Sequence, residues 1–89
     1  MKFYYTYAMY DNKKDKFYIG YTANLKKRVS QHQSHSGHTS KRLRNLVLVY
    51  YEACVSEEDA RKRERKLKTG FGRGYLRRRL ISSINNLPL

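Results

Sequence analysis

The sequence has little with which to staple or anchor itself. Its 89 residues include one cysteine, Cys54, one proline, Pro88, and no tryptophan. A lone cysteine excludes an internal disulfide framework, and no CxxC pair is present to hold zinc through thiolates. No apolar run approaches the roughly 20 residues that a membrane-spanning helix needs. The opening MKFYYTYAMYDNKK has a short, tyrosine-rich apolar run with no small-residue cleavage site after it, so it does not read as a secretory signal. These absences give the expectation of a reduced, cytoplasmic chain. A chain of 89 residues has room for one hydrophobic core, so residues 1–89 are expected to form a single domain.

Acid is scarce as well. Seven Asp and Glu face twenty Lys and Arg, for a formal net charge of +13. Self-repulsion of that size works against compaction and points to a polyanionic partner. Nucleic acid is the first candidate, because each phosphate neutralised by Lys or Arg releases counterions. Composition alone does not separate a nuclease from a passive binder.

What the chain does have is tyrosine, nine of them, and clear changes of period. FYYTYAMY at 3–10 reads as a strand, DNKKDK at 11–16 as a polar turn and FYIGY at 17–21 as the returning strand of a hairpin. TANLKKRVSQHQ then shifts to helical spacing, with Thr22 or Asn24 as cap and Leu25 and Val29 four apart. Residues 33–45 form a polar, basic loop. LVLVYYEA at 46–53 is a continuous apolar run that fits a buried strand. Ser56 is the candidate N-cap of a second helix with Asp59 at N3, and the glycines of TGFGRG, 69–74, are expected to stop it. YLRRRLISSI at 75–84 reads as a third helix. The expected architecture is α+β: a small three-stranded β-sheet flanked by helices, in the order β-β-α-β-α-α.

Two helices carry polar groups on faces that should be apolar. At about 100° per residue, Glu64 falls on the stripe of Ala60 and Leu67, while Arg61, Lys62, Arg65 and Lys66 project elsewhere. A carboxylate on a buried stripe is costly unless it is paired or holds a metal. On the first helix, Arg28 and His32 lie one turn apart beside Leu25 and Val29. On the hairpin, Tyr5 and Tyr7 share one face of the first strand. Tyr18 sits two residues before Gly20, where backbone can approach closely. One carboxylate, phenols, a guanidinium and an imidazole in a basic domain suit phosphodiester hydrolysis. A divalent ion on the acid polarises phosphate, arginine clamps it, and a tyrosine or histidine orients or deprotonates water. A single carboxylate is compatible with Mg²⁺ or Mn²⁺, since magnesium keeps several waters and leans on substrate phosphate. His32, His35 and His38 recur at intervals of three, a weak zinc pattern in a polar loop. Lys41, Arg42 and Arg44 of that loop are candidate contacts to DNA phosphates.

YTY at 5–7, YIG at 18–20, Arg28, His32 and Glu64 together resemble the GIY-YIG nuclease domain. YIGYTANLKKRVSQHQ and EEDARKRERKLKTGFGR are similar to its two signature segments, in order and spacing, in its small stand-alone bacterial members. The resemblance implies that Tyr7, Tyr18, Arg28, His32 and Glu64 form the catalytic site, with Glu64 binding one Mg²⁺ or Mn²⁺ ion. It implies DNA as partner and repair or recombination of branched or damaged DNA as setting. The resemblance is to the catalytic domain without the DNA-recognition module appended in larger relatives, so specificity is expected to come from substrate shape or from a protein partner. The chain departs from the family pattern at Tyr5 and Thr6, where the first tripeptide has Gly and Ile. Asn85 and Asn86 are ambiguous counterparts of a late family asparagine. The competing reading is a catalytically silent nucleic-acid-binding module that keeps the same fold.

Overall fold

The computed structural model describes residues 1–33 and 46–87. Three strands, β1 (Tyr4–Asp11), β2 (Lys16–Thr22) and β3 (Leu46–Cys54), form one antiparallel sheet in the order β2-β1-β3. The helices among the described residues are α1 (Leu25–Gln33), α2 (Glu57–Leu67), α3 (Gly70–Arg79) and α4 (Ile81–Asn85). The α+β order is the one expected from the sequence. Among the described residues no helix is long and apolar enough to cross a membrane.

The hairpin closes through its own acids. The Asp11 carboxylate accepts hydrogen bonds from the backbone amides of Lys13 and Lys14 at 3.0 and 3.2 Å. In such a turn a short acid replaces a backbone acceptor. Asp15 adopts a left-handed conformation, φ 52°, which Asp tolerates better than most residues. Its carboxylate accepts from the Tyr10 hydroxyl at 2.5 Å and from Arg77 at 3.0 Å. The turn is thereby tied to α3.

β1 runs down the middle and is buried on both faces, as its unbroken burial from Thr6 to Asp11 shows. On one face, Tyr7, Met9 and Leu46 pack with Tyr18, Leu25 and Leu48, beneath α1. On the other, Ala8, Leu76 and Leu80 pack with Phe17, Ile19, Tyr50 and Ile84, beneath α3 and α4. A bulge between Ala8 and Met9 shifts the β1–β3 register, since Ala8 faces Tyr50 but Met9 faces Leu48.

The helix starts follow the sequence. Asn24 Oδ1 accepts from the Lys27 amide at 3.0 Å at the head of α1, as a capping side chain does. Ser56 Oγ accepts from the Asp59 amide at 3.2 Å at the head of α2. The glycine-rich stretch does not follow it. The sequence pattern has these glycines end one helix before another begins at Tyr75, yet α3 starts at Gly70 and contains all of FGRG. α2 ends instead at Lys68 in right-handed conformation, φ −79°. The physical reason lies in Gly72. A Cβ there would collide with the backbone carbonyl of Leu67, so the glycine lets the start of α3 press against the end of α2. The expected continuous helix over 75–84 also breaks at Leu80, which separates α3 from α4.

Candidate active site

Tyr7 stands at the centre of the sheet on the α1 side and is 4% exposed. Directly across from it on β2 is Gly20. The ring and hydroxyl of Tyr7 occupy the space that a Cβ at residue 20 would fill. The close approach that Gly20 permits is therefore made by the first phenol, which extends across the edge strand. Tyr18, facing Met9 in the ladder, packs against the same cluster and is half-buried.

α1 adds the imidazole. The His32 ring meets Tyr7 edge-on, with centroids 6.3 Å apart. Both ring nitrogens are buried and, among the described residues, neither has a hydrogen-bond partner. Burial foremost, and the Arg28 charge after it, push the imidazole below its ordinary value, so it is neutral at neutral pH. Arg28 itself is exposed and lines a surface depression of about 240 Å³ with Thr22, Asn24 and Lys27.

Glu64 comes from the other layer. α2 is fixed to the opposite face of β1 by the buried Thr6 hydroxyl, which donates to the Ala60 carbonyl at 2.6 Å. Thr6 stands where the Gly-Ile-Tyr pattern has isoleucine, which could not make that tie. The helix lies as the wheel predicts. Ala60 and Leu67 are buried, Arg63 and Glu64 are half-buried, and Arg61, Lys62, Arg65 and Lys66 are exposed. The Glu64 side chain is 19% exposed and pairs with Lys68 Nζ at 3.0 Å. Arg63, its neighbour on the stripe, is engaged elsewhere, donating to both oxygens of Glu52 at 2.9 and 3.0 Å.

α2 runs alongside the edge strand β2. At its head the Tyr21 hydroxyl donates to Glu57 at 2.9 Å; at its tail Leu67 and Lys68 share a pocket wall with Tyr18. The structure thus brings Tyr7, Tyr18 and His32 into one cluster beside Arg28's helix. Glu64 is not part of that cluster: it belongs to the helix layer on the other face of β1, and its link to the phenols is indirect, since its partner Lys68 lines a pocket with Tyr18. Lys41, Arg42 and Arg44, and with them His35 and His38, lie outside the described residues. Asn85 lines a separate pocket with Tyr10, Asp15 and Arg77, and Asn86 caps the end of α4.

Sequence reasoning passes over Lys16 and Lys68. Lys16 stands 5.5 Å over the Tyr18 ring, and Lys68 is the partner of Glu64. The i,i+4 spacing of Glu64 and Lys68 is the available signal.

The donor set bears on which ion could be held. Among the described residues no three His, Cys, Asp or Glu side chains converge. A lone carboxylate fits a hard ion that keeps most of its water and takes its remaining ligands from a substrate phosphate. It does not fit an ion caged wholly by protein.

A small basic α+β domain with phenols and an imidazole on one face of its sheet and a half-buried acid on a helix of the opposite layer has a recognised counterpart. The GIY-YIG catalytic domain model matches residues 3–77, and the chain belongs to that family. Nuclease chemistry is the general activity of the family. A UPF0213 protein of Staphylococcus haemolyticus is 38% identical over 58 residues, covering 64% of this chain and 71% of the relative. No solved structure matches the chain significantly.

Proposed function

We propose that the chain is a divalent-metal-dependent endonuclease that hydrolyses phosphodiester bonds in DNA, on branched or damaged substrates of repair or recombination. The observation that carries the reading is Glu64: a single acid among exposed cations, set on the inward stripe of its helix and only 19% exposed. Its ion-pair partner among the described residues is Lys68, through a half-exposed i,i+4 pair of the kind worth little to stability. Glu64 is the residue that would hold one Mg²⁺ or Mn²⁺ ion. Such an ion, when bound, supplies charge stabilisation to the phosphate and its leaving oxygen.

The other residues divide the remaining work. Arg28, exposed on α1, grips the scissile phosphate through two parallel N–H bonds, a geometry that lysine cannot reproduce. The hydroxyls of Tyr7 and Tyr18 orient the attacking water by hydrogen bonds. The water's proton needs a basic lone pair close by, and His32, held neutral by burial, has one. Lys41, Arg42 and Arg44 hold flanking phosphates. Specificity comes from substrate shape or from a protein partner.

Plasmid nicking with Mg²⁺ or Mn²⁺, beside Glu64→Ala and Arg28→Ala, tests the proposal. Cleavage by the wild type, lost in both variants while DNA binding persists, supports it. Equal behaviour of wild type and Glu64→Ala on nicked, flapped and junction DNA overturns it in favour of a silent binding module.

A further inference from the structure

Between β2 and the junction of α2 with α3 lies a pocket of about 390 Å³ that shares only Tyr18 with the nuclease chemistry above. Its volume falls in the range of about 300–1,000 Å³ typical of ligand clefts. Phe17, Ile19, Leu67 and Leu76 give it an apolar floor, and Tyr18 forms part of its wall. Its charged lining is Lys16, Lys68, Arg73 and Arg77, against the single acid Asp15.

These cations are not equivalent. Arg77 is satisfied by Asp15, through both the carboxylate and the backbone carbonyl, at 3.0 and 2.9 Å. Lys68 is satisfied by Glu64. Lys16 and Arg73 have no carboxylate partner among the described residues. Two cations without a carboxylate partner, over an apolar floor, are complementary to a group with an anionic edge and a flat apolar body. A nucleotide has that form: phosphate for the cations, sugar and base for the floor.

We infer that this pocket takes a nucleotide next to the scissile phosphate, with Lys16 and Arg73 holding its phosphate. The inference rests on the nuclease reading of the neighbouring site. Tyr18 and Lys68 join the two, since one belongs to the phenol cluster and the other to the Glu64 pair, and both line the pocket. A DNA strand held at Glu64 therefore continues along the β2 edge rather than over α1 alone. Lys68 sits where that strand passes from one site to the other.

The test is salt-dependent binding of a fluorescein-labelled DNA duplex, measured by anisotropy in EDTA so that no cleavage occurs. Arg73→Gln, Lys16→Gln and the double variant are compared with Lys62→Gln, which removes the same charge from an exposed position of α2. Thermal melting of each variant establishes that the fold is intact. The expected result is a slope of log K against log salt that is shallower by about 0.9 for each pocket substitution. In cleavage with metal, KM should rise while kcat is held, as for a group that binds but does not react. A pocket variant whose slope falls no further than that of Lys62→Gln overturns the inference and leaves the nuclease reading standing. Wild-type protein that neither binds nor cuts DNA overturns both.

Discussion

The ring of Tyr7 lies across Gly20, filling the volume of the side chain that residue 20 lacks. A first-strand phenol thus reaches the edge of the sheet only because the second strand yields there. The sequence pattern pairs YTY with YIG, and the pairing is steric before it is chemical. Gly20→Ala forces the two groups apart. Tyr7 is nearly fully buried and has no free direction in which to move. The substitution should cost about 1–3 kcal/mol, the usual range for overpacking. Thermal melting should fall by about 4–8 °C per kcal/mol in a domain of this size. Gly74→Ala serves as the contrast, since its Cβ meets only the end of the Arg78 side chain. Equal melting temperatures for the two variants would disprove the packing role.

Thr6 provides a second test. Its hydroxyl spans from the central strand to the Ala60 carbonyl of α2, the helix that carries Glu64. Thr6→Val keeps the shape and removes the donor. A buried hydrogen bond of this kind contributes about 0.5–1.5 kcal/mol net, and that is the expected loss in urea unfolding. A variant as stable as wild type would show that apolar packing alone seats the helix.

Much of this is legible in the sequence because it depends on local period. The alternation of the hairpin, the caps at Asn24 and Ser56 and the angular place of Glu64 need only neighbours in the chain. Which helix covers which face of the sheet does not. Tyr7 lies beneath α1, which carries His32, whereas Glu64 belongs to the layer fixed by Thr6, and no spacing in one segment reports the distance to another. The glycines at 70–74 mislead for a related reason. Glycine after a helix ordinarily signals a left-handed stop. Here its use is a close approach between two helices, set by tertiary contact with Leu67.

That contact predicts opposite effects at two neighbouring glycines. Gly70 faces open space apart from the tip of Arg73. Gly70→Ala should therefore raise stability, by at most about 1 kcal/mol, through helix propensity. Gly72→Ala gains the same propensity but drives its Cβ into the Leu67 carbonyl, which is backbone and cannot step aside. It should lower stability. Denaturant midpoints of the two variants check the sign; a shared direction would contradict the account of the α2–α3 junction.

His32 gives a pH test. Its folded value is depressed, chiefly by burial and then by Arg28, below the ordinary value of about 6.5. A group depressed on folding contributes stability that is complete above the unfolded value and is lost as pH falls through the folded one. Wild-type stability should therefore decline below about pH 6.5 relative to His32→Leu, which cannot titrate there. Tyr7 on β1 and Arg28 on α1 are the polar groups that face the imidazole. Parallel stability curves for the two proteins from neutral pH downward would show that the imidazole is not held neutral by the fold.

The pair of Glu64 and Lys68 separates function from folding. The lysine side chain is 54% exposed, so the ion pair is well screened. It belongs with helical i,i+4 pairs, which are worth about 0.3–0.5 kcal/mol. Glu64→Gln keeps the volume of the side chain on its half-buried stripe and gives up only that small attraction. Its melting temperature should stay within a few degrees of wild type. If the acid serves the reaction, cleavage should nonetheless drop below detection while DNA binding in EDTA is retained or strengthened, because a negative charge near the phosphates has gone. Lys68→Gln should be equally benign for stability. A Glu64→Gln protein that melts far below wild type would mean that the carboxylate is structural, and one that still cuts DNA at the wild-type rate would remove it from the chemistry altogether.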